Sequence, residues 1–166
     1  TGNPGTGKTT IARILAKYLK AIGALRGGQL VEVTRADLVG RYVGHTAPLT
    51  NSVIQSALGG VLFIDEAYAL YRGGEDSFGL EAIDTLVKGI EDHRNDLVVI
   101  LAGYTKEMQL FLSANSGLAS RFPNQIEFPD YTGAELYKIL LSIAKSKGYR
   151  LDESCEQPLT EWFDRR

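Results

Sequence analysis

Gly2-Asn3-Pro4-Gly5-Thr6-Gly7-Lys8-Thr9, continued by Thr10, is the stretch that decides the fold. It satisfies G-x-x-x-x-G-K-[ST] at every fixed position, the pattern of a phosphate-binding loop. Its glycines allow a turn in which successive backbone N–H groups point at one anion. Lys8 is spaced to reach β- and γ-phosphates, and the Thr9 hydroxyl to bind Mg²⁺. Behind the loop, Ile11, Ile14, Leu15, Tyr18, Leu19 and Ile22 recur at helical spacing, and Gly23 closes the segment. The positive end of that helix then faces the same anion. A chance glycine-rich turn has no reason to carry the lysine and the hydroxyl in register. Asn3, Pro4, Gly5, Thr6, Gly7, Lys8, Thr9 and Thr10 are therefore the candidate nucleotide-binding residues.

Further along, Val61-Leu62-Phe63-Ile64 is a continuous apolar run, as expected of a strand buried on both faces, and Asp65-Glu66 follows it directly. This reads as a Walker B element. Asp65 is expected to hold Mg²⁺ through water, since hard cations prefer oxygen ligands and keep part of their hydration shell, and Glu66 to polarise the attacking water. The competing reading is a pair of acids at a helix start.

Other elements fall into an alternating series. Leu30 to Val33 and Leu97 to Leu101 read as strands, and Ile126 to Phe128 as a last one. Leu49 to Leu58, stopped by Gly59-Gly60, reads as a helix, as does the Leu80, Ile83, Val87, Ile90 series. Met108, Phe111 and Leu112 mark a short helix, and Thr34 to Ala47 reads as a polar loop region. The alternation predicts an α/β domain, a parallel sheet covered by helices on both faces. Ligands of such sheets gather at the carboxyl ends of the strands. A boundary is expected near Tyr131, giving a nucleotide-binding core over 1–130 and a helical segment over 131–166. Thr132-Gly133-Ala134-Glu135 reads as a capping box for Leu136, Ile139, Leu140, Ile143 and Ala144, ended by Gly148; Pro158 starts or kinks a further helix. A phosphate-binding loop joins a strand to a helix, and no strand is legible before Thr1, so the chain reads as an excerpt whose sheet lacks its first strand.

Composition bounds the remaining choices. The 166 residues, 44% hydrophobic and 23% charged, are globular values. A net charge of -2 supplies no basic field for nucleic acid or anionic membrane. Arg13, Lys17, Lys20 and Arg26 suit the wet face of a helix. The single cysteine, Cys155, permits no internal disulfide and fits a reducing, cytoplasmic setting. His45 and His93 show no zinc spacing.

Three further segments carry candidate chemistry. Tyr104 or Thr105, at the tip of the Leu97–Leu101 strand, is placed to orient a water; the alternative is a tyrosine packed at a loop edge. Arg121, within Leu118-Ala119-Ser120-Arg121-Phe122, either reaches a neighbouring subunit's γ-phosphate or forms an ordinary surface ion pair. Tyr42, between Gly40 and Gly44, either packs on a substrate peptide or folds onto the domain surface.

Taken together, TGNPGTGKTTIA, TRADLVGRYVGHTA, GVLFIDEAYAL, DLVVILAGY, GLASRF and EFPDY resemble one branch of the AAA+ ATPases over nearly the whole chain. This is the branch of red-type Rubisco activase, stage V sporulation protein K and the cytosolic ATPase of type VII secretion systems. The resemblance implies a P-loop three-layer fold with strand order 5-1-4-3-2, followed by a helical lid. It implies Lys8 and Thr9 in Walker A, Asp65 and Glu66 in Walker B, and Arg121 as an arginine finger given to the next subunit. It implies Tyr42 as a pore-loop aromatic and Tyr104 in the sensor-1 region, where many members carry asparagine instead. It also implies hexameric rings that use ATP and Mg²⁺ to remodel a protein substrate. A nucleotide-dependent scaffold or switch with little hydrolysis is the alternative of another class. A GTPase is disfavoured by the lack of N-K-x-D, and a small-molecule kinase by the adjacent Asp65-Glu66.

Overall fold

The computed structural model describes residues 1–165; Arg166, the last residue of the expected helical segment, lies outside them. Three parallel strands form the sheet: β1 (Leu30–Val33), β2 (Val61–Ile64) and β3 (Val98–Leu101), in the order β1-β2-β3. The register is even, with Val31 beside Leu62 and Leu62 beside Val99. The β2 run is buried at all four positions, as its unbroken apolar sequence requires.

Alternation along β2 divides the core into two layers. Val61 and Phe63 face helix α1 (Lys8–Ala21), which lays Ala12 and Ala16 against them. Leu62 and Ile64 face the larger core, shared with α2 (Arg35–Leu38), α3 (Thr46–Ala57), α4 (Ser77–Asp92), α5 (Thr105–Ala114) and α6 (Ser116–Arg121). Leu38, Ile54, Leu70, Leu86, Met108, Phe111 and Leu118 are buried there. Each such side chain stabilises by about 1.5–3 kcal/mol through the water it excludes.

Helix α1 forms where its spacing predicts. Its bulky residues Ile11, Ile14 and Tyr18, and Ile22 just past its end, are exposed, Ile14 at 57%, while Ala12, Ala16 and the partly buried Leu19 make the sheet contact. Periodicity marks a helix without deciding which stripe is buried, and small side chains let the helix approach the sheet closely. Two of the basic residues on this side pair with acids: Arg13 with Glu32 and Arg26 with Asp96.

Two other expectations need correction. The region 34–47 contains a helical turn, α2, started by the Asp37 carboxylate, which accepts the backbone N–H of Thr34 at 2.8 Å. Thr34-x-x-Asp37 is a capping signal that the polar composition hid. Ile126 to Phe128 supplies one parallel bridge, Gly2 to Phe128, rather than a strand, because its partner is only Thr1-Gly2. The Phe128 N–H donates to the Thr1 carbonyl at 2.8 Å, and the Gly2 N–H to the Gly103 carbonyl at 3.1 Å. Phe128, Gly2, β3, β2 and β1 therefore lie in the order 5-1-4-3-2.

The chain divides into two compact units, Thr1–Phe128 and the segment from Pro129 onward. The second holds α7 (Gly133–Ser146), a 3₁₀ turn (Glu153–Cys155) and α8 (Glu156–Asp164). The capping box starts α7: the Thr132 N–H donates to Glu135 at 2.9 Å, and the Glu135 N–H to the Thr132 hydroxyl at 3.3 Å. Tyr137 is its buried aromatic, while Ile143 of the expected stripe is half-exposed. Pro158 sits in the first turn of α8, where its missing N–H costs nothing. No helix among the described residues is long and apolar enough to cross a membrane.

Candidate nucleotide site

The phosphate-binding loop is braced by its own side chains. The Thr6 hydroxyl, buried, donates to the Asn3 carbonyl at 2.8 Å. The Lys8 ammonium donates to the carbonyls of Gly2 at 2.8 Å and Asn3 at 2.6 Å. Gly7 precedes α1 with φ 92°, a left-handed backbone that favours glycine, and so turns the chain into the helix. By helix geometry the first N–H groups of α1 have no partner within the helix.

The second wall comes from strand ends. The Asp65 N–H donates to Val33 of β1 at 2.9 Å, and the Ala102 N–H to Ile64 of β2 at 2.9 Å, so both segments leave the sheet at its carboxyl edge. Asp65 Oδ1 accepts the Glu66 N–H at 3.0 Å. Glu66 itself is left-handed, at φ 48° and ψ 44°, and exposed. Its conformation is held from both sides: the Ala67 N–H donates to Ala102 at 3.0 Å, and the Ala69 N–H to the Glu66 carbonyl at 2.8 Å.

A cleft of about 350 Å³ lies between these walls. Pro4, Gly5, Gly7, Lys8, Thr9 and Thr10 line one side, and Asp65, Glu66, Gly103 and Tyr104 the other. Residues more than fifty positions apart are thus brought together. Asn3 and Thr6 brace the loop from behind. The donor set fits the expected ligands: an ammonium and free N–H groups suit phosphate oxygens, and the Thr9 and Asp65 oxygens suit Mg²⁺. Among the described residues, no group of three or more His, Cys, Asp and Glu side chains is arranged as a metal cage.

Tyr104 stacks on Tyr68, ring centroids 5.7 Å apart and planes inclined by 28°. Tyr68 lies in the 3₁₀ turn Ala67–Leu70, directly after Glu66. Burial, then the Glu66 carboxylate, pushes the Tyr68 phenol above its ordinary range. Sequence reading missed Tyr68; its place two residues after Glu66 was the available signal.

Arg121 and Tyr42 lie outside the cleft of their own chain. Arg121 ends α6, exposed, and donates to Glu91 of α4 and to the Gly117 carbonyl at 3.0 Å. Tyr42 is 68% exposed at the tip of the loop joining α2 to α3, its ring edge-on to His45 at 5.5 Å. A second cleft opens beneath that loop, between Ala36, Val39, Tyr42 and Leu49.

Residues 1–130 match the family described as ATPase family associated with various cellular activities (AAA), and the chain belongs to that family. Within it, the chain falls in the branch of red-type Rubisco activase and stage V sporulation protein K. It is 52% identical to stage V sporulation protein K of Bacillus subtilis (strain 168) over 162 residues, 98% of this chain and 50% of that protein. It is 48% identical to the chloroplastic ribulose bisphosphate carboxylase/oxygenase activase of Cyanidioschyzon merolae (strain NIES-3377 / 10D), across 100% of this chain and 56% of that one. Protein CbbX of Cereibacter sphaeroides is 50% identical, with 100% and 54% covered. The chain spans about half the length of these curated relatives. The fold also resembles the AAA domain of FIGL-1 solved with ADP, at a TM-score of 0.64 and 21% identity over 91% of this chain and 48% of that one.

Proposed function

We propose that the chain is the core, with the first part of a helical lid, of a Mg²⁺-dependent ATPase that remodels a protein substrate as a cytoplasmic hexameric ring. The observation that carries this reading is the single cleft uniting Lys8 and Thr9 with Asp65 and Glu66. In it, Lys8 and the N-terminus of α1 hold the phosphates, and Thr9 and Asp65 hold Mg²⁺. The metal supplies charge neutralisation at the β- and γ-phosphates. Glu66 takes the role of aligning and polarising the attacking water, and Tyr104 of fixing its position. Arg121, remote from this cleft, is suited to the site of the next subunit, where a guanidinium balances the charge that develops on the γ-phosphate. Exposed Tyr42 grips the substrate. A protein substrate is supported by the relative named as an activase of ribulose bisphosphate carboxylase/oxygenase, itself a protein.

The test is Glu66→Gln. The reading expects ATP binding to persist while hydrolysis falls at least a hundredfold, the scale of lost general-base catalysis. ATP turnover that is insensitive to this change overturns it. A nucleotide-dependent switch, in contrast, keeps its ATP-dependent partner binding in the variant and has little turnover to lose.

A further inference from the structure

The guanidinium of Arg35 reaches 34 to 41 positions along the chain, to the end of a 3₁₀ turn and to the start of α4. Its Nη1 donates to the carbonyls of Ala69 at 2.9 Å and Leu70 at 3.2 Å, the open end of the 3₁₀ turn that begins after Glu66. The same nitrogen donates to Asp76 Oδ2 at 2.6 Å, and Nη2 to Oδ1 at 2.9 Å, a two-pronged pair with both side chains largely shielded. Asp76 Oδ1 also accepts the Gly79 N–H at 3.1 Å and so caps α4. The packing is close enough that a Cβ on Gly79 would lie 2.1 Å from the Leu70 carbonyl oxygen.

Arg35 is also the first residue of α2, and α2 leads straight into the Tyr42 loop. The base of that loop is pinned. The Thr50 hydroxyl donates to the Leu38 carbonyl at 2.8 Å, and the Thr46 hydroxyl accepts the Gly40 N–H at 3.0 Å. Both threonines are fully buried, so these bonds are shielded from water. Beyond them the tip is exposed, Val43 at 86%. A rigid path of hydrogen bonds thus runs from the Glu66 turn, through Arg35 and the one turn of α2, to the loop base.

We infer that Arg35, locked by Asp76, is a positioning residue that fixes the Glu66 turn and transmits its state to the Tyr42 loop. The inference rests on the ATPase reading above. Neither residue lines the nucleotide cleft, so the pair acts through Glu66 and through α2 rather than on the nucleotide.

The experiment uses the full-length protein with Cys155→Ser and a fluorophore on Val43→Cys. It measures kcat and KM for ATP, the affinity for a fluorescent ATP analogue with Mg²⁺, and the change in loop fluorescence on adding Mg·ATP. Arg35→Ala is expected to lower kcat at least tenfold and abolish the fluorescence change, with KM and analogue affinity within about threefold of the parent. Arg35→Lys is expected to restore part of both, since one ammonium reaches some of the same acceptors. If Arg35→Ala does not fold, Asp76→Asn is read in the same way. Parent-like kcat and loop response in these variants overturn the inference. So does a loss of analogue affinity in step with a lowered thermal transition, which marks a merely structural pair. If the parent binds but does not hydrolyse ATP, the ATPase reading falls, and the loop response on binding alone still decides the coupling.

Discussion

The backbone N–H of Glu66 donates to Oδ1 of Asp65, the residue before it, at 3.0 Å, and Glu66 is the one non-glycine residue among those described with a positive φ. The expected metal ligand therefore orients the expected base through one hydrogen bond. A left-handed backbone costs a non-glycine residue about 1–2 kcal/mol. The cost is borne at the position where the chemistry needs a carboxylate turned away from the strand. Glu66→Gly should be more stable than Glu66→Ala by about 1 kcal/mol, since only glycine escapes the steric penalty. Both should lose hydrolysis. Urea midpoints for the two variants check the order.

Tyr104 and Tyr68 form a stack beside the cleft. Such pairs contribute about 0.5–1.5 kcal/mol beyond area burial. Tyr104→Phe keeps the rings and removes the hydroxyl, so the thermal transition should stay unchanged while kcat falls about tenfold through loss of water positioning. Tyr104→Ala should lower both. Steady-state kinetics beside thermal melts separate the two effects.

Asp76 gives an acid-limb prediction. Its bond to Arg35 holds the carboxyl below its ordinary value, with the Gly79 N–H adding to the effect. The folded state therefore binds this proton less readily than the unfolded state. Its contribution to stability is full above the unfolded value, about 3.9, and is lost as pH falls from there through the lower folded value. Asp76→Asn should be less stable than the parent at neutral pH, and the gap should narrow below about pH 4. Denaturation midpoints measured from pH 3 to 6 test this.

Gly79 is closed to any side chain. Its Cβ would meet a backbone oxygen, which cannot swing aside. Gly79→Ala should destabilise by about 1–3 kcal/mol, the range for overpacking, even though alanine is the better helix former. A gain in stability would show that the α4 start yields more readily than its contacts imply.

Much of the site was legible because its signals are local. The phosphate loop is nine consecutive residues, and Asp65-Glu66 directly follows four apolar ones, so spacing alone located both walls. The strands β2 and β3 announced themselves through unbroken apolar runs, and β1 through a short apolar run interrupted by Glu32. The Arg35–Asp76 pair spans 41 positions and joins two ordinary charged residues, so no pattern in the chain marks it. Tyr68 escaped notice because stacking depends on the path of the strand ends. The period of α1 marked a helix but left its buried stripe open, because exposed isoleucines and buried alanines produce the same helical period as the reverse. Arg121 and Tyr42 could be named but not placed at the site, because their proposed contacts belong to other chains.

The central claim is a site shared between subunits, and the most direct test is ATPase rate against protein concentration, with Arg121→Ala alongside, in the full-length protein. The account predicts a specific activity that rises with concentration and collapses in Arg121→Ala, while the affinity of the isolated site for ATP is kept. A flat, low activity indifferent to Arg121 would contradict it and leave Arg121 as the surface partner of Glu91.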